Sequence, residues 1–149
     1  MTVNTICNHN VAAIRADASV TDAATRMRAE HVGALIVTEL RGSVETPIGI
    51  VTDRDIVVAI LAKRVSPDAV TVGDAMTRNL LIAREADSVE FALREMRRRG
   101  VRRVPVVGTR GELVGILTVD DAVQHYAAQL GRLADVIRTE QTTETQARP

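Results

Sequence analysis

The chain is written twice, and this repeat restricts its fold more than any other feature. Thr2-Val3 recurs as Thr71-Val72, Asn10 as Asn79, Ser19-Val20 as Ser88-Val89 and Met27 as Met96, each 69 residues further on. Toward the end of each copy the offset falls to 66, pairing Gly49 with Gly115, Thr52 with Thr118 and Asp55 with Asp121. Self-similarity at a fixed period is the mark of one supersecondary unit used again. The expected division is residues 2–66, residues 67–128 and a C-terminal extension over 129–149. Ser66-Pro67-Asp68 is a short joint between the copies.

The three residues by which the first copy is longer fall in Glu39–Pro47, a polar, turn-rich stretch set against the tighter Gly108–Glu112 of the second. Both read as hairpin connections. Each copy then predicts a short strand (Ala12 to Ile14; Leu81 to Ala83), an amphipathic helix, a strand, a turn, a strand and a second helix. Val20, Ala24 and Met27, and likewise Val89, Leu93 and Met96, give the first helix of each copy its apolar face, with Ser19 and Ser88 as N-caps. Ala34–Val37 and Val104–Val107 are apolar on both faces, as in a covered sheet, and Pro105, which cannot donate to a ladder, suggests an edge strand. At the far end Val123, Tyr126, Ala127, Leu130, Leu133, Ala134 and Ile137 continue at helical spacing, leaving an apolar face to cover, while 139–149 has no period and is expected to fray.

Composition excludes several classes. With 46% hydrophobic residues the chain is globular, and 19 basic against 19 acidic residues give it no overall pull toward nucleic acid or an anionic membrane. Tyr126 and Phe91 are the only aromatics, so base-stacking platforms are absent. The arginines between Arg94 and Arg103 are interrupted by Glu95, and Leu93 and Met96 turn inward, which favours a solvated helix face over a nucleic-acid patch. Of Arg102 and Arg103, however, strand alternation sends one to each side. Cys7 is alone, and His9, His31 and His125 have no metal-ligand spacing. Cys7 is expected to pack as a small apolar residue. The start of the chain lacks the pattern of a signal peptide and no apolar run could span a bilayer, so the expected location is the cytoplasm. No nucleophile, paired-carboxylate or Walker pattern occurs, and no enzyme is expected.

The repeated Gly-x-x-Thr-x-x-Asp of GIVTDRD (49–55) and GILTVDD (115–121) admits two readings. Thr52 and Thr118 can be helix N-caps, with Asp55 and Asp121 as capping-box partners. The box favours Glu or Gln, though, and a helix N-terminus with free N–H groups beside a hydroxyl and a carboxylate can also hold a phosphorylated sugar, the amides and Thr taking phosphate and Asp accepting from ribose hydroxyls.

Taken together, Thr71-Val72-Gly73-Asp74-Ala75-Met76-Thr77, Gly100-Val101-Arg102-Arg103-Val104-Pro105-Val106-Val107 and the two closing motifs make the sequence resemble a tandem of cystathionine beta-synthase (CBS) domains, the Bateman module, over residues 2 to about 128. The resemblance implies an α/β fold of two βαββα repeats about a pseudo-twofold axis, with clefts for AMP, ADP, ATP, NAD or S-adenosylmethionine. It assigns Asp55 and Asp121 to the ribose diol and Thr52 and Thr118 to phosphate. Val11, Ala12 and Ala13, with Leu80, Leu81 and Ile82, would clasp adenine, and one of Arg102 and Arg103 would meet a phosphate chain. It implies a non-enzymatic sensor, a homodimer and an unidentified protein partner. The alternative is an interaction protein of the same fold that binds no nucleotide. Two departures stand out: Ile6-Cys7-Asn8 replaces Ala75-Met76-Thr77, and Gly33-Ala34 replaces Arg102-Arg103.

Overall fold

The computed structural model describes residues 1–148. It contains two three-stranded sheets of one topology. Strands β1 (Ala13–Arg15), β2 (Ala34–Arg41) and β3 (Val44–Thr52) form the first, and β4 (Ala83–Arg84), β5 (Arg103–Val107) and β6 (Leu113–Thr118) the second. In each, the opening strand runs parallel to the middle one, which pairs antiparallel with the third, as in Leu35 opposite Val51 and Val104 opposite Leu117. A register shift falls at matching places, Val37/Thr38 and Val106/Val107.

The helices are α1 (Val20–Glu30), α2 (Asp53–Asp55, continued as a π-helical turn over Ile56–Leu61), α3 (Val72–Ala75), α4 (Val89–Arg99) and α5 (Val119–Ala147). Ser19 and Ser88 cap α1 and α4 by accepting the amides of Asp22 and Phe91. Both helices stop on a left-handed residue, His31 (φ 54°) and Gly100 (φ 66°). The face each turns to its sheet is Val20, Ala23, Met27 and Val89, Ala92, Met96, all buried. The stripe thus passes through the small i+3 alanine, which lets the helix lie close to the sheet, whereas Ala24 is exposed and Leu93 only half-buried.

Three further expectations are corrected. The extra residues of the first copy do not form a loop: β2 and β3 pair as far as Arg41 opposite Val44, so they lengthen the hairpin and leave only Gly42 (φ 65°) and Ser43 at the turn. Pro105 lies in the central strand of its sheet. Its counterpart Ile36 donates to the Ala12 carbonyl at 3.0 Å; proline has no such proton, so parallel pairing in the second sheet begins only at Ala83 opposite Val106. Strand β4 is short for this reason, and Leu81 and Ile82 precede it. Finally, α5 runs to Ala147. No glycine or proline interrupts it after Gly131, and the hydroxyls of Thr139, Thr142, Thr143 and Thr145 donate to the carbonyls four residues back at 2.8–2.9 Å. Pro149, also expected to be frayed, lies outside the described residues. No helix among the described residues is long and apolar enough to cross a membrane.

Each copy's opening segment packs into the other copy's core. The first core joins Ile14, Val20, Met27, Leu35, Val37 and Val51 to Val72 and Met76 from the start of the second copy. The second joins Met96, Val104, Val106 and Leu117 to Val3 and Cys7 from the chain's beginning. The backbone follows the same exchange. Asn8 and Ile116 swap N–H to carbonyl bonds at 2.9 Å in both directions, and Ile50 and Thr77 do so at 3.1 and 2.9 Å. The opening turns therefore leave identically despite Ile6-Cys7-Asn8 standing for Ala75-Met76-Thr77; they differ only in a 3-10 turn at Val3–Thr5 against the capped α3.

Candidate nucleotide cleft

This exchange sets the opening segment of the first copy against the closing strand of the second, and a cleft of about 600 Å³ opens along that line. The size is that of a small-molecule site. Asn8, Asn10, Val11 and Ala12 form one wall, the end of α1 with Arg26 and Glu30 another, and Arg103, Ile116 and Thr118 the third, with Val32 and Ala34 between. Ala12, Arg103 and Thr118 are thus brought together, with half-buried Ala13 next in β1 and half-buried Asp121 one turn into α5.

Strand alternation separates the two arginines. Arg103 faces the cleft, while Arg102 reaches Asp120 at 3.5 Å on the surface. In the first copy Gly33 stands where Arg102 does, and Arg54 where Asp120 does, so that pair is missing there. Thr52 and Asp55 hold the equivalent place at the start of α2, but Leu80 and Leu81 stand there for Val11 and Ala12. Leu81 and Ile82 instead border a narrow slot of about 20 Å³ with Phe91 and Ala92.

The capping boxes of both closing motifs are closed, although each uses Asp. The Thr52 and Thr118 amides each donate to the Asp carboxylate at 2.9 Å, and the Asp amides return to the Thr hydroxyls at 3.1 Å. The chain-length objection to Asp therefore fails. The expected free amides are largely engaged as well. Val119 donates to the Arg102 carbonyl at 2.9 Å and Asp53 to that of Gly33 at 3.0 Å, and Arg54 donates to the Asp53 carboxylate at 2.8 Å. What is left facing outward is side-chain chemistry. Asp121 uses Oδ2 for both the Thr118 amide and its hydroxyl (2.6 Å), which leaves Oδ1 without a partner among the described residues.

The sequence reading missed Asn8, Asn10, Arg26 and Glu30. Arg26 and Glu30 form an i,i+4 ion pair at 2.6 Å within the cleft. The available signal was a charge inversion: Glu95 and Arg99 occupy the same places in the second copy, where Glu95 pairs with Arg98 at 2.6 Å and Arg99 donates to Asn79 at 3.3 Å. Elsewhere in the arginine run Arg94 stacks over Phe91. No group of three His, Cys, Asp or Glu side chains suited to a metal ion occurs among the described residues.

Cys7 lines the second core just behind the cleft. Burial first, then the charges of Asp121 and Glu85, push its thiol above the ordinary value of roughly 8.5. Its alkylation by iodoacetamide at pH 8 is therefore expected to be slow in the folded protein and fast in denaturant. Since the folded pKa is raised, the associated stability is complete below about pH 8.5 and lost at higher pH. Equal rates in the two states would place the thiol outside the core.

The CBS-domain family model matches residues 3–62 and 72–128. Hypoxic response protein 1 of Mycobacterium tuberculosis is 33% identical over 124 residues, covering 83% of this chain and 84% of that protein. The uncharacterized protein MK0525 of Methanopyrus kandleri is 33% identical over 101 residues, covering 68% of this chain, which spans only half of that relative's length. Among solved structures, the CBS domain pair of protein MJ0100, in complex with 5-methylthioadenosine and S-adenosyl-L-methionine, superposes with a TM-score of 0.73 at 26% identity, over 87% of this chain and 98% of that one. With both copies matched and the paired arrangement shared, the chain belongs to the CBS-domain family as a pair of such domains.

Proposed function

We propose that the protein is a non-enzymatic regulatory module that binds an adenosine-containing ligand in the cleft between its two copies. The observation that carries this reading is the meeting, in one cleft, of the Ala12 strand with Arg103 and Thr118, whose capping partner Asp121 keeps one carboxylate oxygen unengaged. Ribose hydroxyls donate to Asp121 Oδ1, the small Val11 and Ala12 side chains leave room for a purine, and Arg103 meets phosphate. Because the Val119 and Asp121 amides are occupied, phosphate recognition falls mainly to arginine. AMP, ADP, ATP and NAD use all three features, and S-adenosylmethionine uses the first two. The complex of the MJ0100 pair with S-adenosylmethionine and methylthioadenosine supports the adenosine class. Ligand binding would act on a homodimer or on a partner protein through unequal affinity for two arrangements.

Thermal unfolding with AMP, ATP, NAD and S-adenosylmethionine tests this. A ligand at a hundred times its dissociation constant adds about 2.7 kcal/mol of stability. If none of the four shifts the melting temperature at millimolar concentration, the reading fails. The closed capping boxes then favour the second reading, an interaction protein in which Thr52, Asp55, Thr118 and Asp121 only start helices.

A further inference from the structure

Stability does not account for the charge inversion between the first helices of the two copies. Helix α4 has Glu95 followed four residues on by Arg99, and Arg97, Arg98 and Arg99 fill its last turn. That order suits a helix twice, because an acidic residue four places before a basic one is the better arrangement of such a pair and cations are favoured at a C-terminus. Helix α1 reverses it. Arg26 precedes Glu30, and Glu30 is the last helical residue, where the dipole disfavours a carboxylate. The side chains of the pair are 45% and 39% exposed, and ion pairs of that kind add little to a fold.

What distinguishes the pair is its place. Arg26 and Glu30 line one wall of the cleft and Arg103 another, in register with Thr118 across β5 and β6. Glu30 accepts only the Nε proton of Arg26, at 2.6 Å, so both terminal nitrogens of that guanidinium are without a partner among the described residues. Arg103 forms no ion pair among them either. The counterpart face of the second copy is different, since Arg99 there is tied to Asn79. The cleft thus holds two guanidinium groups with unused donors, and guanidinium donors match phosphate oxygens in pairs. It also holds one carboxylate that repels the same oxygens.

We infer that Arg26 and Glu30 set the length of phosphate chain that the cleft prefers. Arg103, beside Thr118, takes the phosphate next to the ribose, and Arg26, on the facing helix, takes the outer phosphates of a nucleoside di- or triphosphate. Glu30 is a positioning residue: it holds Arg26 by Nε, aims its terminal nitrogens and opposes the negative charge that Arg26 attracts. The inference rests on the nucleotide reading of the cleft and goes beyond it by saying which of those ligands is favoured and by which residues.

Isothermal titration calorimetry of the full chain with AMP and with ATP, in buffer without divalent cations, is the test, read as the ratio of the two dissociation constants. The wild type is expected to prefer ATP. Arg26→Gln weakens ATP by about 10-fold, for one charge-assisted bond, and leaves AMP within about twofold, so the preference collapses. Glu30→Gln moves ATP the other way, tightening it by about threefold, because a negative charge near the outer phosphates is gone. A merely structural role for the pair would shift both nucleotides together and both variants in one direction. Arg28→Gln, exposed on another side of α1, alters neither constant. Circular dichroism checks that each variant is folded. A wild type that binds AMP and ATP equally, a ratio unchanged in Arg26→Gln, or weaker ATP binding in Glu30→Gln overturns the inference and leaves the nucleotide site standing. If neither nucleotide binds, both fall.

Discussion

In the Asp121→Asn protein, the stabilisation given by an adenosine ligand largely disappears while the ligand-free protein is barely altered. In the proposed site, the carboxylate oxygen left over from the capping box is the one that would meet the ribose diol. Losing a charged acceptor for two hydroxyls weakens binding by about 100-fold, at roughly 1.5–3 kcal/mol per charged hydrogen bond. At a ligand concentration that stabilises the wild type by about 2.7 kcal/mol, the variant would gain only ~0.4 kcal/mol. Asparagine still has an oxygen for the Thr118 amide, so the apo protein should lose no more than about 1 kcal/mol. Asp121→Ala removes the box as well and should cost about 1 kcal/mol in the apo protein beyond the lost binding. The pair separates the two roles. If Asp121→Asn binds as the wild type does, Asp121 is a cap and nothing more.

Gly115→Ala is expected to destabilise the protein by about 1–3 kcal/mol, the usual cost of overpacking a filled core. A Cβ at Gly115 would stand 2.8 Å from Cys7 Sγ and 3.2 Å from the Asn8 carbonyl oxygen. Neither can retreat, since Cys7 is short and buried and Asn8 is tied to Ile116 by the reciprocal 2.9 Å bonds. Gly49→Ala meets Met76 Sδ most closely, with Met76 Cγ at 2.9 Å and the Thr77 carbonyl at 3.1 Å, yet methionine is flexible and can partly give way. Chemical denaturation should therefore rank Gly115→Ala below Gly49→Ala. Adding Cys7→Ala to Gly115→Ala should recover part of the loss, because the two sites are in contact. Equal costs, or no recovery, would show that the glycines are not making room for the exchanged segments.

The order of elements, the helix caps, the repeat and the site motif were all legible because each depends on residues close together in the chain. Ser19 and Ser88 announce helices locally, and the alternation at Arg102 and Arg103 foretold that one would face the cleft. The exchange of opening segments was not legible. Val3, Cys7, Val72 and Met76 are apolar, but hydrophobicity does not say which core such residues enter. Pro105 misled for a related reason: its missing donor can be accommodated by an edge position or by a shortened neighbour, and here β4 is the element that is shortened. The free amides at the motif were a fair inference from a helix start. Carbonyls from Gly33 and Arg102, 20 and 17 residues upstream, take two of those donors, and pairings at such distance leave no local trace.

The exchanged openings also fix an order of events during synthesis. The first core lacks no residue once Met76 has left the ribosome, because everything it uses lies at or before that position. The second core needs both Val3 and Leu117, so Val3 must wait for β6, the last strand among the described residues. Domains generally assemble as their sequences appear, N-terminal parts first. Here the opening segment of the first copy is the late arrival, and until β6 is made Val3 and Cys7 have no core to enter.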